Sequence, residues 1–225
     1  ASDNVAVGQN ALRCNTTAAN NTAVGTCALF ANTTGTENVA IGKMAMENTT
    51  TTDNNVAVGN YSMRNATTGN NNTAVGYCSL KANTTGAYNV AMGRQALHGN
   101  TTASYNTAVG INAMYLTTTG NSNTVIGRNA GYNITSGKQN TIMGEASACT
   151  LTTGCYNTYV GAELTPSAVG VLFEYVFGRG GTGKGSNTFF ATGANGAYNG
   201  NNASTWSTTS DRRIKKNIVD NNVGL

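Results

Sequence analysis

The chain has 225 residues, of which 10% are charged and 39% hydrophobic, with a single proline and a formal net charge of +4. So little charge is the opposite of the composition that keeps a chain disordered. Arg212, Arg213, Lys215 and Lys216 lie together near the C-terminus, leaving the rest close to neutral. A cationic groove for nucleic acid is therefore excluded, and the absence of any run of 18 apolar residues predicts no membrane insertion.

One spacing dominates. Gly8, Gly25, Gly42, Gly59, Gly76, Gly93, Gly110, Gly127, Gly144, Gly161 and Gly178 each follow the last by 17 residues, the mark of one backbone unit stacked on copies of itself. Four residues before these glycines stand Asn4, Asn21, Asn38, Asn55, Asn72, Asn89, Asn106, Asn123, Asn140 and Asn157, with Glu174 in the last copy. Asparagines in one column predict a side-chain amide ladder from coil to coil. Immediately before the glycines runs an apolar column, Val7, Val24, Ile41, Val58, Val75, Met92, Val109, Ile126, Met143, Val160 and Phe177, which is expected to be buried. Ala6, Ala23, Ala40, Ala57, Ala74, Ala91 and Ala108 sit one step away, on the opposite face of the same strand.

A second apolar pair follows each glycine, as in Ala28-Leu29, Ser62-Met63 and Ala96-Leu97, and then a bend such as Thr33-Thr34-Gly35 or Thr84-Thr85-Gly86. Glycine permits positive φ and Asn or Thr satisfies turn backbone. The expected coil is two short strands, or a strand and a turn-like segment, joined by two bends. The fold class is all-β, a parallel β-solenoid or β-roll of 17-residue coils, with residues 1–164 as its shaft. Such a coil buries little apolar surface by itself, and the strand is apolar on both faces; both point to self-association, and a homotrimer is expected.

Residues 165–209 break the period with Pro166 and concentrate Phe173, Tyr175, Phe177, Phe189, Phe190, Tyr198 and Trp206. They read first as a cap closing the stacked core and second as a receptor-contact tip, with Tyr198 and Trp206 as candidate binding residues. Gly178 to Lys184 approaches a phosphate-binding loop, but Gly185 stands where the metal-binding hydroxyl should be, so a glycine-rich connection is expected instead. His98 is the lone histidine and the acids share no useful spacing, so no metal site, no cofactor and no catalytic triad are expected. Cys14, Cys27, Cys78, Cys149 and Cys155 show no metal-binding pattern and read as free thiols, with Cys149 and Cys155 near enough to meet across one coil. Regular threonines also suggest ice binding, but at the bends turn chemistry already accounts for them.

The register of Asn21 to Gly25, Asn72 to Gly76 and Asn106 to Gly110 resembles the head repeats of trimeric autotransporter adhesins, which stack as a left-handed parallel β-roll in a trimer. The unit here is longer, which implies a modified coil. Trp206 to Ile218, containing Ser210-Asp211-Arg212-Arg213 and Lys215, resembles the opening of the intramolecular chaperone at the end of phage tail spikes and fibres. That resemblance implies self-cleavage between Ser210 and Asp211, with Ser210 as nucleophile and Lys215 as its activating or stabilising base; residues 210–225 would begin the chaperone, whose body does not follow Ser210 in this chain. With no methionine at its start, the chain is expected to be a piece of a longer polypeptide. Together the two resemblances imply a trimeric tail fibre of a virion that meets other tail proteins and a host polysaccharide or protein receptor, and no enzyme beyond a single self-cleavage. The alternative is a bacterial cell-surface adhesin head.

Overall fold

Branched residues on either side of an alanine favour extended backbone, and the glycine that follows ends the extension after three residues. The computed structural model describes residues 2–192, 197–200 and 207–208. It places one such strand in every coil: β1 Val5–Val7, β2 Thr22–Val24, β3 Val39–Ile41, β4 Val56–Val58, β5 Thr73–Val75, β6 Val90–Met92, β7 Thr107–Val109, β8 Thr124–Ile126, β9 Thr141–Met143 and β10 Thr158–Val160. Each pairs in parallel with the next at a register of one repeat, so Ala23 faces Ala40 and Ala40 faces Ala57. The chain is a parallel β-solenoid of 17-residue turns.

The strand column runs past residue 164. β11, Glu174–Phe177, stays in register with β10, and β12, Thr188–Ala191, pairs in parallel with β11 after a step of 14 residues, from Tyr175 to Phe189. β13, Ala197–Gly200, and β14, Ser207–Thr208, then reverse to antiparallel pairing, and the parallel stack ends there. The turns lose the repeat around Pro166, whereas the sheet keeps the 17-residue step through β11 and shortens it to 14 only at β12.

The second apolar pair does not form a second strand. Leu29 and its equivalents have φ near +50°, which no strand accommodates, and two further non-glycine positions per coil, such as Cys27 and Glu37, are also left-handed. Each costs roughly 1 kcal/mol in isolation. Hydrogen bonds to neighbouring coils offset it: the Cys27 N–H donates back to the Gln9 carbonyl at 2.9 Å, and the Leu29 N–H donates forward to the Ala45 carbonyl at 3.0 Å.

The period-marking glycines are required twice over. Their φ lies between +120° and +138°, and a β-carbon on any of Gly25, Gly42, Gly59, Gly76, Gly93 or Gly110 would lie 2.5 or 2.6 Å from the backbone of the next glycine in the column. The bend glycines differ from expectation. Gly35, Gly69, Gly86 and Gly120 do not adopt positive φ; they are small because the next coil's carbonyl crosses close by, and Ala18, Thr52 and Ala103 fill the same position in other coils.

The asparagine ladder is present. In every step from Asn4 to Glu174 the later residue's backbone N–H donates to the earlier asparagine's Oδ1, at 2.8–3.0 Å. The Nδ2 groups of Asn21, Asn38, Asn55, Asn72, Asn89 and Asn106 also donate to a carbonyl at the bend that follows, at 2.7–3.1 Å. A second, outer ladder runs the opposite way: the backbone N–H groups of Thr36, Asp53 and Ser104 donate forward to the side chains of Asp53, Asn70 and Asn121.

The core reverses one expectation. Ala23, Ala40, Ala57, Ala74, Ala91 and Ala108 are fully buried, whereas the Val/Ile/Met column points outward and is half-buried or exposed. With side chains alternating along a three-residue strand, only the middle one can face a narrow interior, and alanine is what fits there. Opposite it pack Leu29, Met46, Met63, Leu80, Leu97 and Met114. Beyond Met114 that column shrinks to Gly131 and Ala148 while the strand column grows to Val125, Ile142 and Tyr159, and Ile134 and Leu151 enter from the turn. A β-carbon on Gly131 would lie 2.8 Å from the Ile134 side chain. Volume is kept while its source moves across the coil.

Thr117 occupies the same turn column as Ile134, fully buried with no partner for its hydroxyl. Thr117→Val is therefore expected to match or exceed the parent in stability, by up to about 1–2 kcal/mol in denaturant unfolding. A loss of similar size would show that the hydroxyl is engaged.

Candidate functional site

The outward side chains of the strands form two columns along the sheet. One is Val5, Thr22, Val39, Val56, Thr73, Val90, Thr107, Thr124, Thr141, Thr158 and Tyr175; the other is the Val/Ile/Met column. Neither contains a charged residue in any coil. Val7, Ile41, Met92, Ile126 and Met143 are between 37% and 56% exposed, high for branched and long apolar groups in register. Charges sit elsewhere around the coil, where Glu47 pairs with Arg64 at 2.6 Å and Glu145 with Arg128. The Val/Ile/Met column of this face can bury apolar surface, and the other column adds only threonine hydroxyls and the Tyr175 phenol as polar groups.

Aromatic residues form short stacks on other columns. His98, Tyr115 and Tyr132 stack in succession, at 4.9 and 5.1 Å. Burial, and then the charge of Lys81, hold His98 below the ordinary histidine range. Tyr88 and Tyr105 stack at 5.1 Å, and Tyr156 and Phe173 at 4.8 Å, all four exposed.

At the capped end, Glu174 replaces asparagine in the ladder and is fully buried. Its carboxylate accepts from the Tyr159 hydroxyl at 2.6 Å, the Ser167 N–H at 3.2 Å and the Gly185 N–H at 2.8 Å. Burial first, then the hydrogen bond and charge of Glu174, push the Tyr159 hydroxyl far above its usual range. The segment from Gly178 to Gly185 is thus packed onto its own chain's carboxylate, with Gly183 directly against it, and is neither a free connection nor a phosphate cradle. The sequence carried a signal for this pair: Glu174 breaks the asparagine column, and Tyr159 brings the first hydroxyl into the apolar Ala/Val/Ile column, in adjacent coils.

Phe190 and Val176 are buried and extend the core, and Phe177 stacks on Phe189; Phe173 and Tyr175 stay exposed. Tyr198 lies on β13, opposite Phe190 in register. Trp206, Ser210, Asp211 and Lys215 lie outside the described residues. The five cysteines are free thiols, and Cys155 Sγ accepts the Lys138 N–H at 3.3 Å. The first threonine of each bend pair is committed: Thr16, Thr33, Thr67, Thr84, Thr101, Thr118, Thr135 and Thr152 donate their hydroxyls to the next coil at 2.9–3.3 Å, whereas the second, as in Thr34, Thr68, Thr85, Thr102 and Thr119, is exposed. Among the described residues no group of three or more His, Cys, Asp or Glu is placed to hold a metal, and no helix is long and apolar enough to cross a membrane. Comparison with protein-family models, with curated proteins and with solved structures finds no match.

Proposed function

We propose that this chain is the shaft of a trimeric phage tail fibre, which spaces and presents a host-receptor-binding end and is released from a C-terminal chaperone by cleavage at Ser210-Asp211. The observation that carries the reading is the uncharged apolar outer face of the sheet. The interior of each coil is thin, with alanine as its strand residue, so the single chain buries little; the Val/Ile/Met column offers the additional surface. Three copies meeting through that column would bury it in a closed assembly, whereas open-ended association would polymerise. At about 4.8 Å per coil the stack spans roughly 50 Å, a spacer's dimension. The rest of the described surface, with its scattered charges, suits a part that holds distance.

Expression of the gene extended past Leu225 tests the reading. Intact mass should show a product ending at Ser210, and Ser210→Ala should leave the chain uncut. A downstream membrane-anchoring β-barrel with no cut would replace the fibre by the surface-adhesin head.

A further inference from the structure

The aromatic column on the outer turn is interrupted in a way that makes a binding notch. Tyr88, Tyr105, Ser122, Gln139, Tyr156 and Phe173 are successive residues of one column, each 17 after the last and each left-handed, with φ between +53° and +63°, so the backbone presents all six in the same way. Tyr88 stacks on Tyr105 with their planes 2° apart, and Tyr156 on Phe173 with planes 5° apart. The rings therefore stack along the solenoid axis. Their inner faces cover one another, and the face of Tyr105 toward Ser122, like that of Tyr156 toward Gln139, has no ring against it. Tyr105 is 62% exposed, the most of any large apolar or aromatic residue described.

We infer that the notch at Ser122 takes one pyranose ring of an acidic surface glycan, held between the face of Tyr105 and the side chain of Gln139. From the Tyr105 position to the Gln139 position is two coil steps, about 9.6 Å at ~4.8 Å per coil, which admits one non-planar ring between them. A pyranose offers an apolar C–H face to a tyrosine and hydroxyls at its rim, and aromatic rings are the side chains that combine such contact area with little entropy to lose. The rim is furnished for hydroxyls. The Ser122 hydroxyl, the Gln139 amide and the Nδ2 of Asn121 make no side-chain hydrogen bond among the described residues, while Asn121 Oδ1 accepts the Ser104 N–H at 2.7 Å and so fixes that side chain. Lys138 adjoins Gln139, is exposed, and makes no ion pair among the described residues. From Asn70 to Tyr156 it is the only charge in this column and the neighbouring one of Asn70, Ala87, Ser104, Asn121, Lys138 and Cys155, which selects a carboxylated sugar over a neutral one.

The inference deepens the host-attachment reading and rests on it for the source of the glycan, though its geometry is that of the single chain. Saturation-transfer NMR on the full chain, with hexagalacturonate as the acidic probe and cellohexaose as the neutral one, tests it. The pyranose protons of hexagalacturonate should receive saturation and those of cellohexaose much less. Ser122→Tyr completes the ring column and should weaken hexagalacturonate binding about tenfold without lowering the melting temperature; Tyr105→Ala should weaken it as much. Lys138→Gln should erase the preference for the acidic probe. Failure of hexagalacturonate to bind, unchanged binding by Ser122→Tyr, or equal binding of the two probes would each overturn the inference. Native mass on the same samples keeps the two ideas apart: a trimer that ignores the sugar refutes the notch alone, and a monomer that binds it refutes the assembly alone.

Discussion

Gly93→Ala is expected to destabilise the stack by more than about 4 kcal/mol. The new β-carbon would lie 2.6 Å from the Gly110 carbonyl oxygen and 2.7 Å from its carbon, both backbone atoms, and that carbonyl already accepts the Ala113 N–H at 3.3 Å. The Gly110 N–H donates to the Met92 carbonyl at 2.8 Å, and the Gly93 N–H to the Val75 carbonyl at 2.7 Å, so neither coil can retreat without losing its neighbour. The φ of +132° adds roughly 1–3 kcal/mol of strain for any residue with a β-carbon. Gly180→Ala separates the two terms. Gly180 is left-handed, at +60°, but a β-carbon there would meet nothing within 4 Å, so only strain of about 1 kcal/mol is expected. Similar costs for the two variants in denaturant unfolding would show that close approach of the coils is not what demands glycine.

Asn72→Ala is expected to cost about 3–5 kcal/mol. Asn72 is 1% exposed and stands in the middle of the ladder. Its Oδ1 accepts the Asn89 backbone N–H at 2.9 Å and the Asn89 Nδ2 at 3.1 Å, and its Nδ2 donates to the Gly86 carbonyl at 2.9 Å and the Asn55 Oδ1 at 3.2 Å. Truncation strands the Asn89 N–H in a dry interior, where each orphaned donor or acceptor costs about 1–3 kcal/mol. Asn72→Asp keeps size and acceptor but turns the donor into a second acceptor, facing the Gly86 carbonyl and the Asn55 Oδ1. It is expected to be at least as damaging near neutral pH. An aspartate variant close to wild type in stability would show that volume, not amide direction, is what the column requires.

These two columns were the most legible part of the sequence because their causes are local to one residue type. Only glycine accepts the backbone at Gly93, and only an amide both donates and accepts along the stack, so spacing alone revealed the solenoid, its parallel register and its ladder. The direction of the strand was harder to read. Val7, Ile41 and Met92 are the larger apolar groups, and a preference for burying size predicts them inside; the interior is too narrow, and alanine wins on fit. Nothing in the composition signals that Leu29 or Met63 adopts left-handed backbone, because neither prefers it and only hydrogen bonds between coils compensate. That is why the sequence left a second strand and a turn-like segment as alternatives there. The persistence of the sheet through β11 and β12 was hidden for a similar reason: pairing follows the extended aromatic-rich runs Glu174–Phe177 and Thr188–Ala191, while the period was judged on turns that Pro166 disrupts. Exposed rings such as Tyr105 belong to a column that varies between aromatic, polar and acidic residues, so only the geometry showed which of them meet.

The proposed trimer makes the outward Val/Ile/Met column an interface between copies of this chain. Native mass spectrometry of the purified chain, beside a Val75→Glu, Val109→Glu double variant that places two charges on that column, tests it most directly. A principal species at three times the 23.1 kDa chain mass is expected, with a shift to single chains in the double variant. A principal species at 23.1 kDa for the unmodified chain, or a trimer indifferent to both charges, would contradict it.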